Sequence, residues 1–211
     1  MKVAIDGPAG VGKSTIAKLL AEKFNLTYIN TGAMYRGVAY LLIKDPLIDL
    51  NSIKNIDMEF QGDRLFVNGV DVSDKIFNEK IDKISSNVSQ NANIRKILTK
   101  VQKNMVNRYG DVVMEGRDIG TVVIPDADFK FFLTASIEER ARRRMKQNEL
   151  KGIKSDFESL KKAIEERDYE DINRKNAPLR KADDAIEIDT TNLSIDEVIN
   201  KISQFINRRQ K

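Results

Sequence analysis

The segment GPAGVGKST at residues 7–15 constrains the fold more than any other part of this 211-residue chain. It follows a short apolar run at residues 2–6 that is typical of a buried strand. After it, apolar side chains at helical spacing predict a helix over residues 14–24. A glycine-rich loop between a strand and a helix lets backbone N–H groups converge at the N-terminus of that helix. The start of the chain therefore predicts an anion site in an α/β fold.

The loop fits the pattern G-x-x-x-x-G-K-[S/T], which binds the phosphates of a nucleoside triphosphate. Its N–H groups would cradle phosphate oxygens, and the helix N-terminus would add a partial positive charge. Lys13 is the expected partner of the β- and γ-phosphates, and Ser14 the expected ligand of Mg²⁺. A turn that merely caps a helix is the structural alternative. The loop residues expected to bind ATP are Gly7, Pro8, Ala9, Gly10, Val11, Gly12, Lys13, Ser14 and Thr15.

Further along the chain, apolar runs alternate with segments of helical spacing. Strands are expected at residues 26–30, 111–115, 129–134 and 185–191, and helices at 33–43, 80–109, 136–147, 155–176 and 194–209. Ser194 and Glu197 form a capping box at the start of the last helix. Strands that alternate with helices favour a parallel sheet covered on both faces. We therefore predict an α/β fold whose core is a P-loop-type parallel sheet flanked by helices.

Residues 57–76 have a different pattern, with apolar residues alternating around two turn signals. The first signal is Gly62 followed by Asp63, and the second is Asn68 followed by Gly69. Asn-Gly between alternating apolar residues is the strongest short hairpin signal. This part of the chain predicts a small antiparallel β insert.

Two absences in the composition narrow the chemistry. The chain has no cysteine, which excludes disulfides, thiolate metal sites and cysteine nucleophiles, and no histidine, the usual general base near neutral pH. An enzyme of this composition must use carboxylates, cations or positioning. The net charge of +4 suits an anionic small ligand and does not by itself indicate nucleic acid. No signal peptide is recognised, and the longest apolar run, VAYLLI at 38–43, is far shorter than the ~20 residues of a membrane span, so a cytoplasmic location is expected.

The remaining motifs favour a small phosphotransferase. The chain lacks the Asn-Lys-x-Asp guanine reader of GTPases and the Ser-Gly-Gly signature of ABC-type ATPases. Arg36 and Arg117 could clamp an anion, and residues 167, 171 and 174 fall at helical spacing. Surface salt bridges are the alternative for that last group, and a solvated face is the alternative for the basic run at 140–144. That run also keeps open a non-catalytic nucleotide switch or a nucleic-acid-binding protein.

Several ordered segments together resemble bacterial cytidylate kinases over nearly the whole chain. They are GPAGVGKSTIAK, NTGAMYR, EGRDIGTVVIPDADFKFFLTAS, EERARRR, ERDYEDINRKNAPL and ADDAIEIDTTNLSIDEVI. The resemblance implies a discontinuous P-loop kinase core at 1–37 and 88–211. It also implies an insert at 38–87 that binds the nucleoside monophosphate, and a helical lid at 138–170. Asn30 departs from the family pattern, which usually has aspartate there.

The resemblance assigns roles to residues at matching positions. The expected catalytic residues are Lys13, Arg36, Arg117 and Arg174. The residues expected to bind CMP are Arg36, Arg117 and Arg174 at the phosphate, Thr31, Arg95 and Asp118 at cytosine, and Ser86, Arg167 and Asp171 near the pentose. Arg140 and Arg144 would close over the phosphates of ATP. The acidic group that helps to order Mg²⁺ stays open among Asp6, the surroundings of Asn30, Glu115 and Asp118.

The implied function is ATP-dependent phosphorylation of CMP and dCMP to CDP and dCDP, with Mg²⁺, in pyrimidine nucleotide metabolism. The acceptor is a phosphate whose second pKa lies near ~6, so no base has to remove a proton and the lack of histidine is no obstacle. The expected partners are ATP and CMP or dCMP, without nucleic acid or membrane, and a monomer is expected. A kinase for a different nucleotide or metabolite is the alternative within the same class.

Overall fold

The computed structural model describes residues 1–49 and 53–209; positions 50–52 of the predicted insert and 210–211 of the predicted core lie outside this description. Its main sheet contains β1 (Lys2–Asp6), β2 (Thr27–Asn30), β6 (Val112–Gly116), β7 (Phe129–Thr134) and β8 (Ile186–Asp189). In the described chain these strands are all parallel and follow the order β2-β6-β1-β7-β8. The strand that leads into the phosphate loop is therefore central.

Helices cover both faces of this sheet. They are α1 (Lys13–Phe24), α2 (Thr31–Lys44), α3 (Glu79–Gln90), α4 (Ala92–Tyr109), α5 (Ile137–Leu150), α6 (Phe157–Asn173) and α7 (Ile195–Arg209). Side chains alternate across a strand, so Val3 and Ile5 pack against α1 and α7 while Ala4 belongs to the cluster that contains α2 and α4. Buried apolar side chains thus fix helices on both faces, which confirms the predicted α/β fold.

A second, three-stranded sheet confirms the predicted β insert. It consists of β3 (Met58–Gln61), β4 (Arg64–Val67) and β5 (Val70–Asp71), paired antiparallel. Asn68 and Gly69 have φ values of 50° and 76°, as a tight hairpin turn requires. The sheet packs closely on α2, where a Cβ on Gly37 would lie 3.1 Å from Val67. The predicted insert bounds at 37/38 and 87/88 fall inside α2 and α3, and the division into core, insert and lid stays a prediction.

Two helix predictions need correction. The expected helix over residues 80–109 is two helices, because Asn91 is extended and its side chain caps α4 by accepting from the N–H groups of Asn93 and Ile94. The helix expected to continue to residue 176 ends at Asn173. Arg174 is extended, so it is not on the helical face with residue 171 as the spacing predicted.

Candidate nucleotide site

The phosphate loop joins β1 to α1 in a conformation that depends on glycine. Gly7 has a φ of +149°, and a Cβ there would lie 2.2 Å from the carbonyl oxygen of Leu133 on β7. Gly12 has a φ of +93° and forms the N-cap of α1. The loop therefore passes directly over the neighbouring strand, and the first N–H groups of α1 face the loop interior.

The side chain of Lys13 is held at this loop. It is 5% exposed, and its Nζ donates to the carbonyl oxygen of Pro8 at 2.7 Å. Burial, with the nearby charge of Arg117, lowers the pKa of Lys13 to about 7. An ammonium buried beside converging N–H groups is stabilised by an anion, as a phosphate would provide.

Ser14 and Glu115 meet at the ends of α1 and β6. The Ser14 hydroxyl donates to Oε1 of Glu115 at 2.6 Å, and the Tyr28 hydroxyl donates to the same oxygen at 3.3 Å. Asp6 is used elsewhere, since its two oxygens accept from the N–H groups of Ile119 and Gly120 at 2.8 and 2.7 Å. Burial raises the pKa of Asp6 to about 6. Among the carboxylates left open by the sequence, Glu115 is the one that touches Ser14.

These oxygens suit a magnesium ion that arrives with phosphates. Among the described residues no group of three or more His, Cys, Asp or Glu side chains could hold a metal ion. Mg²⁺ prefers oxygen ligands and is usually bound through one or two carboxylates together with substrate phosphates. The hydroxyl of Ser14 and the carboxylate of Glu115 fit that requirement. Asn30, in contrast, caps α2 by accepting from the N–H of Ala33 at 2.9 Å.

A buried chain of alternating charges lies beyond the ends of β6 and α6. Nε of Arg117 donates to Oδ2 of Asp171 at 2.7 Å, and NH1 of Arg174 lies 3.5 Å from the other oxygen of that carboxylate. NH2 of Arg174 lies 3.5 Å from Asp118, which also accepts from Arg95 at 2.5 Å. The side chain of Arg174 is 5% exposed. The alternative of a surface salt-bridge ladder is therefore wrong.

Arg95 and Asp118 form the innermost part of this chain. Their side chains are 5% and 9% exposed, and the guanidinium carbon of Arg95 lies 5.5 Å from the ring centroid of Tyr35. Thr31 is buried at the start of α2, and its hydroxyl donates to the carbonyl oxygen of Glu115, three residues before Asp118, at 2.8 Å. Side chains with free donors and acceptors are thus held rigidly at the carboxyl end of β6, where α/β sheets bind ligands.

Arg167 on α6 is half-buried and lies among the other arginines of the site. It makes no hydrogen bond or ion pair with any described residue, and burial together with the charge of Arg117 lowers its pKa to about 10. The positive charge of Arg36 also lowers the pKa of Arg167. Ser86 is placed against α6, where its hydroxyl donates to Glu170 at 2.8 Å. A half-buried guanidinium that is close to Arg117 and Arg36, with Asp171 and Asp82 acting on it without a direct ion pair, favours an anion at this position.

Two arginines of the basic run at 140–144, Arg140 and Arg143, contact the phosphate loop, while Arg144 pairs with Asp82. Arg140 is 3% exposed and donates to the carbonyl oxygen of Ala9 at 3.1 Å, with an ion pair to Asp168 at 2.6 Å. Arg143 donates to the carbonyl oxygens of Val11 and Thr190. A solvated face is thus the wrong interpretation for these arginines, while Arg142 is exposed as that interpretation expects.

Sequence reasoning missed two acidic residues of the site, Asp82 and Asp168, and noted Arg143 only as a member of the basic run at 140–144. Arg143 and Asp168 bind groups around the loop, and Asp82 pairs with both Arg36 and Arg144. Their partners are far away in sequence, so no local motif marks them. The helical spacing of residues 140 and 143 was the one available signal that these two arginines share a face.

A phosphate loop after the central strand of a parallel sheet, with buried arginines around it, defines the class of small P-loop phosphotransferases. Residues 3–208 match the sequence model of the cytidylate kinase family. A cytidylate kinase of Clostridium tetani is 52% identical over 97% of this chain and 92% of its own length. One of Clostridium acetobutylicum is 50% identical over 99% of both chains. The chain belongs to the cytidylate kinase family, whose kinase activity implies the use of ATP.

A solved structure is similar in fold. The crystal structure of an uncharacterized protein from Eubacterium ventriosum superposes with a TM-score of 0.56 at 15% identity, covering 99% of this chain and 98% of the other. At this identity the similarity concerns the fold alone. In the described parts of the chain, no helix is long and apolar enough to cross a membrane.

Proposed function

We propose that this chain transfers the γ-phosphoryl group of ATP to CMP and dCMP, producing ADP with CDP or dCDP. The observation that carries the proposal is the buried chain of alternating charges from Arg117 through Asp171, Arg174 and Asp118 to Arg95. It leads from Arg117, whose charge acts on Lys13 of the phosphate loop, to the buried acceptor and donor pair of Asp118 and Arg95. The family relationship and the names of the relatives support this reaction.

ATP is the proposed ligand of the loop at residues 7–15. The N–H groups of the loop and of the first turn of α1 would hold its phosphates, with Lys13 on the β- and γ-phosphates. Arg140 is tied to the backbone of the loop, so it would stabilise the loop as well as add positive charge. Ser14 and Glu115 would hold Mg²⁺. The ion, when bound, would neutralise charge on the phosphate oxygens.

CMP is the proposed ligand of the arginine-rich side. Arg36, Arg117 and Arg174 would hold its phosphate, because each has guanidinium N–H groups left over from its protein contacts. Arg167 would add the charge of an unpaired guanidinium, near the pentose with Asp171 and Ser86. The predicted insert at 38–87 and lid at 138–170 would enclose the two nucleotides.

Cytosine recognition is assigned to Asp118 and Arg95, with Thr31. The carboxylate would accept from the exocyclic amine of cytosine, and the guanidinium would donate to the acceptors of the ring. Uracil presents a carbonyl oxygen in place of the amine. Two acceptors would then face each other in a buried site, which opposes UMP binding.

The chemistry requires positioning and charge stabilisation. An oxygen of the CMP phosphate forms a bond to the γ-phosphorus of ATP while the bond from that phosphorus to the β-phosphate oxygen breaks. The attacking oxygen is already ionised near neutral pH, so no side chain has to remove a proton. Lys13 and the arginines stabilise charge that spreads over the transferred group. Enclosure by the lid would exclude water as a competing acceptor.

An acceptor profile tests the proposal. ADP release from MgATP is measured with CMP, dCMP, UMP, AMP, shikimate or no acceptor. We expect turnover with CMP and dCMP well above the rate without acceptor. Turnover with AMP or shikimate but not with CMP would support a different small phosphotransferase and refute this proposal. The cytoplasmic location and the monomeric state expected from the sequence stay predictions.

A further inference from the structure

Asp82 on α3 joins two arginines from different parts of the fold. Its Oδ1 accepts from Nε of Arg36 on α2 at 2.9 Å, and its Oδ2 accepts from NH2 of Arg144 on α5 at 3.0 Å. The Asp82 side chain is only 21% exposed. The pair with Arg36, whose side chain is 17% exposed, is less screened than a surface pair, whereas the side chain of Arg144 is 41% exposed.

The contact with Arg36 leaves its phosphate-binding groups free. Asp82 uses only Nε, and the described residues provide no other hydrogen-bond partner for this guanidinium. The ring of Phe77 lies 5.3 Å from the guanidinium carbon, which further limits its movement. Both terminal NH2 groups are therefore oriented but uncommitted. Two parallel N–H donors on a fixed plane are the arrangement that binds a phosphate bidentately.

A carboxylate that merely took the place of the substrate phosphate would bind the two terminal NH2 groups of Arg36. The phosphate would then have to displace it. Asp82 instead holds the side of the guanidinium that a phosphate does not need. Its second oxygen extends to Arg144 on α5, one turn beyond Arg140, which contacts the phosphate loop.

We propose that Asp82 is a positioning residue for phosphoryl transfer, which couples the acceptor-phosphate arginine Arg36 to the lid arginine Arg144 through one carboxylate. Each nucleotide would then stabilise the arginine that the other one needs, so ATP and CMP would favour each other's binding. This inference rests on the proposed function, since it requires both nucleotides as ligands.

The charge state of Asp82 supports this role. Burial alone would raise its pKa, but the positive charges of Arg36, Arg144 and Arg167 outweigh burial and hold the pKa of Asp82 below its ordinary value. The carboxylate is therefore ionised at neutral pH and keeps both arginine contacts under assay conditions.

Calorimetric titration of CMP, with and without an ATP analogue that has an imido bridge between the β- and γ-phosphates, tests the proposal. For the wild-type protein we expect CMP to bind at least about 5-fold tighter when the analogue is present. In Asp82→Asn this ratio should fall below about 2-fold, because the amide replaces one of the two accepting oxygens with an NH2 donor that would face an arginine. Glu22→Gln removes one carboxylate charge at an exposed position of α1, outside the cavity that Asp82 lines with both arginines, and should keep the wild-type ratio.

A second variant separates coupling from a folding defect. Arg144→Gln should also reduce the ratio, and combining it with Asp82→Asn should cause little further loss, since both changes break the same connection. A wild-type ratio in Asp82→Asn, or CMP binding that tightens in this variant without the analogue, would overturn the proposal. If wild-type protein neither binds nor phosphorylates CMP, the proposed function itself fails. Unchanged coupling in an active enzyme refutes only the role of Asp82.

Discussion

Replacement of Asp118 by alanine tests whether one buried carboxylate both stabilises the fold and reads the base. The side chains of Asp118 and Arg95 are 9% and 5% exposed, and Arg174 lies 3.5 Å from the same carboxylate. Asp118→Ala would leave these guanidinium groups without that partner. Removal of one member of a buried ion pair costs about 3–5 kcal/mol, because the remaining charge stays desolvated. For a chain of this length that loss lowers the unfolding midpoint by roughly 10 °C.

The assay is thermal and urea unfolding, with and without nucleotides. A ligand at about 100 times its dissociation constant stabilises the fold by about 2.7 kcal/mol. We expect MgATP to stabilise both the wild type and Asp118→Ala, and CMP to stabilise only the wild type. Asp126→Ala is the matched control, since Asp126 is 70% exposed in its ion pair with Lys2 and its removal should cost under about 1 kcal/mol.

A double variant distinguishes stranded charge from general damage to the core. Adding Arg95→Met to Asp118→Ala removes one of the uncompensated cations and should recover roughly 2 kcal/mol of the lost stability. Two results would refute the reasoning about this site. One is a loss below about 1 kcal/mol in Asp118→Ala, which would match a surface pair. The other is an undiminished stabilisation of that variant by CMP.

Three further predictions follow from the loop, the buried acid and the last helix. Gly7→Ala should weaken ATP binding by more than about 10-fold in calorimetry, because its Cβ would meet the backbone of β7 at 2.2 Å; Gly110→Ala, also at positive φ but in open space, should leave binding unchanged. Burial raises the pKa of Asp6 to about 6, so its contribution to the free energy of unfolding is present at low pH and falls by about 3 kcal/mol as pH rises from about 4 to 6. Urea unfolding of Asp6→Asn should lack this decline, and the same pH dependence in wild type and variant would contradict the prediction. Ser194→Ala removes the cap that accepts from the N–H of Glu197 and should cost about 1 kcal/mol in urea unfolding, whereas no loss would mean that the capping box is not needed.

The features that could be predicted from the sequence are those that depend on interactions between neighbouring residues. The glycine pattern at 7–15 specifies its own loop, because positive φ values and the following helix depend on neighbouring residues. The hairpin at Asn68 and Gly69 was predictable for the same reason. The helix break at Asn91 was missed because helical spacing continues on both sides of it, while a capping side chain ends one helix and starts the next.

The connections between distant residues could not be predicted from the chain alone. Helical spacing predicted that residues 167, 171 and 174 share one face of a helix. Arg174 instead lies beyond the end of α6 and contacts Asp118 from an extended segment. Asp82 had no recognisable pattern, since its two arginine partners come from different helices. Such pairs depend on how the helices pack on the sheet, which periodicity does not determine.

The central claim is that the two halves of this site transfer a phosphoryl group between nucleotides. Product analysis by ³¹P nuclear magnetic resonance of a mixture of protein, MgATP and CMP tests it most directly. The account predicts that CDP and ADP accumulate in equal amounts, and that Lys13→Ala suppresses both. Formation of ADP with inorganic phosphate and no CDP would contradict it.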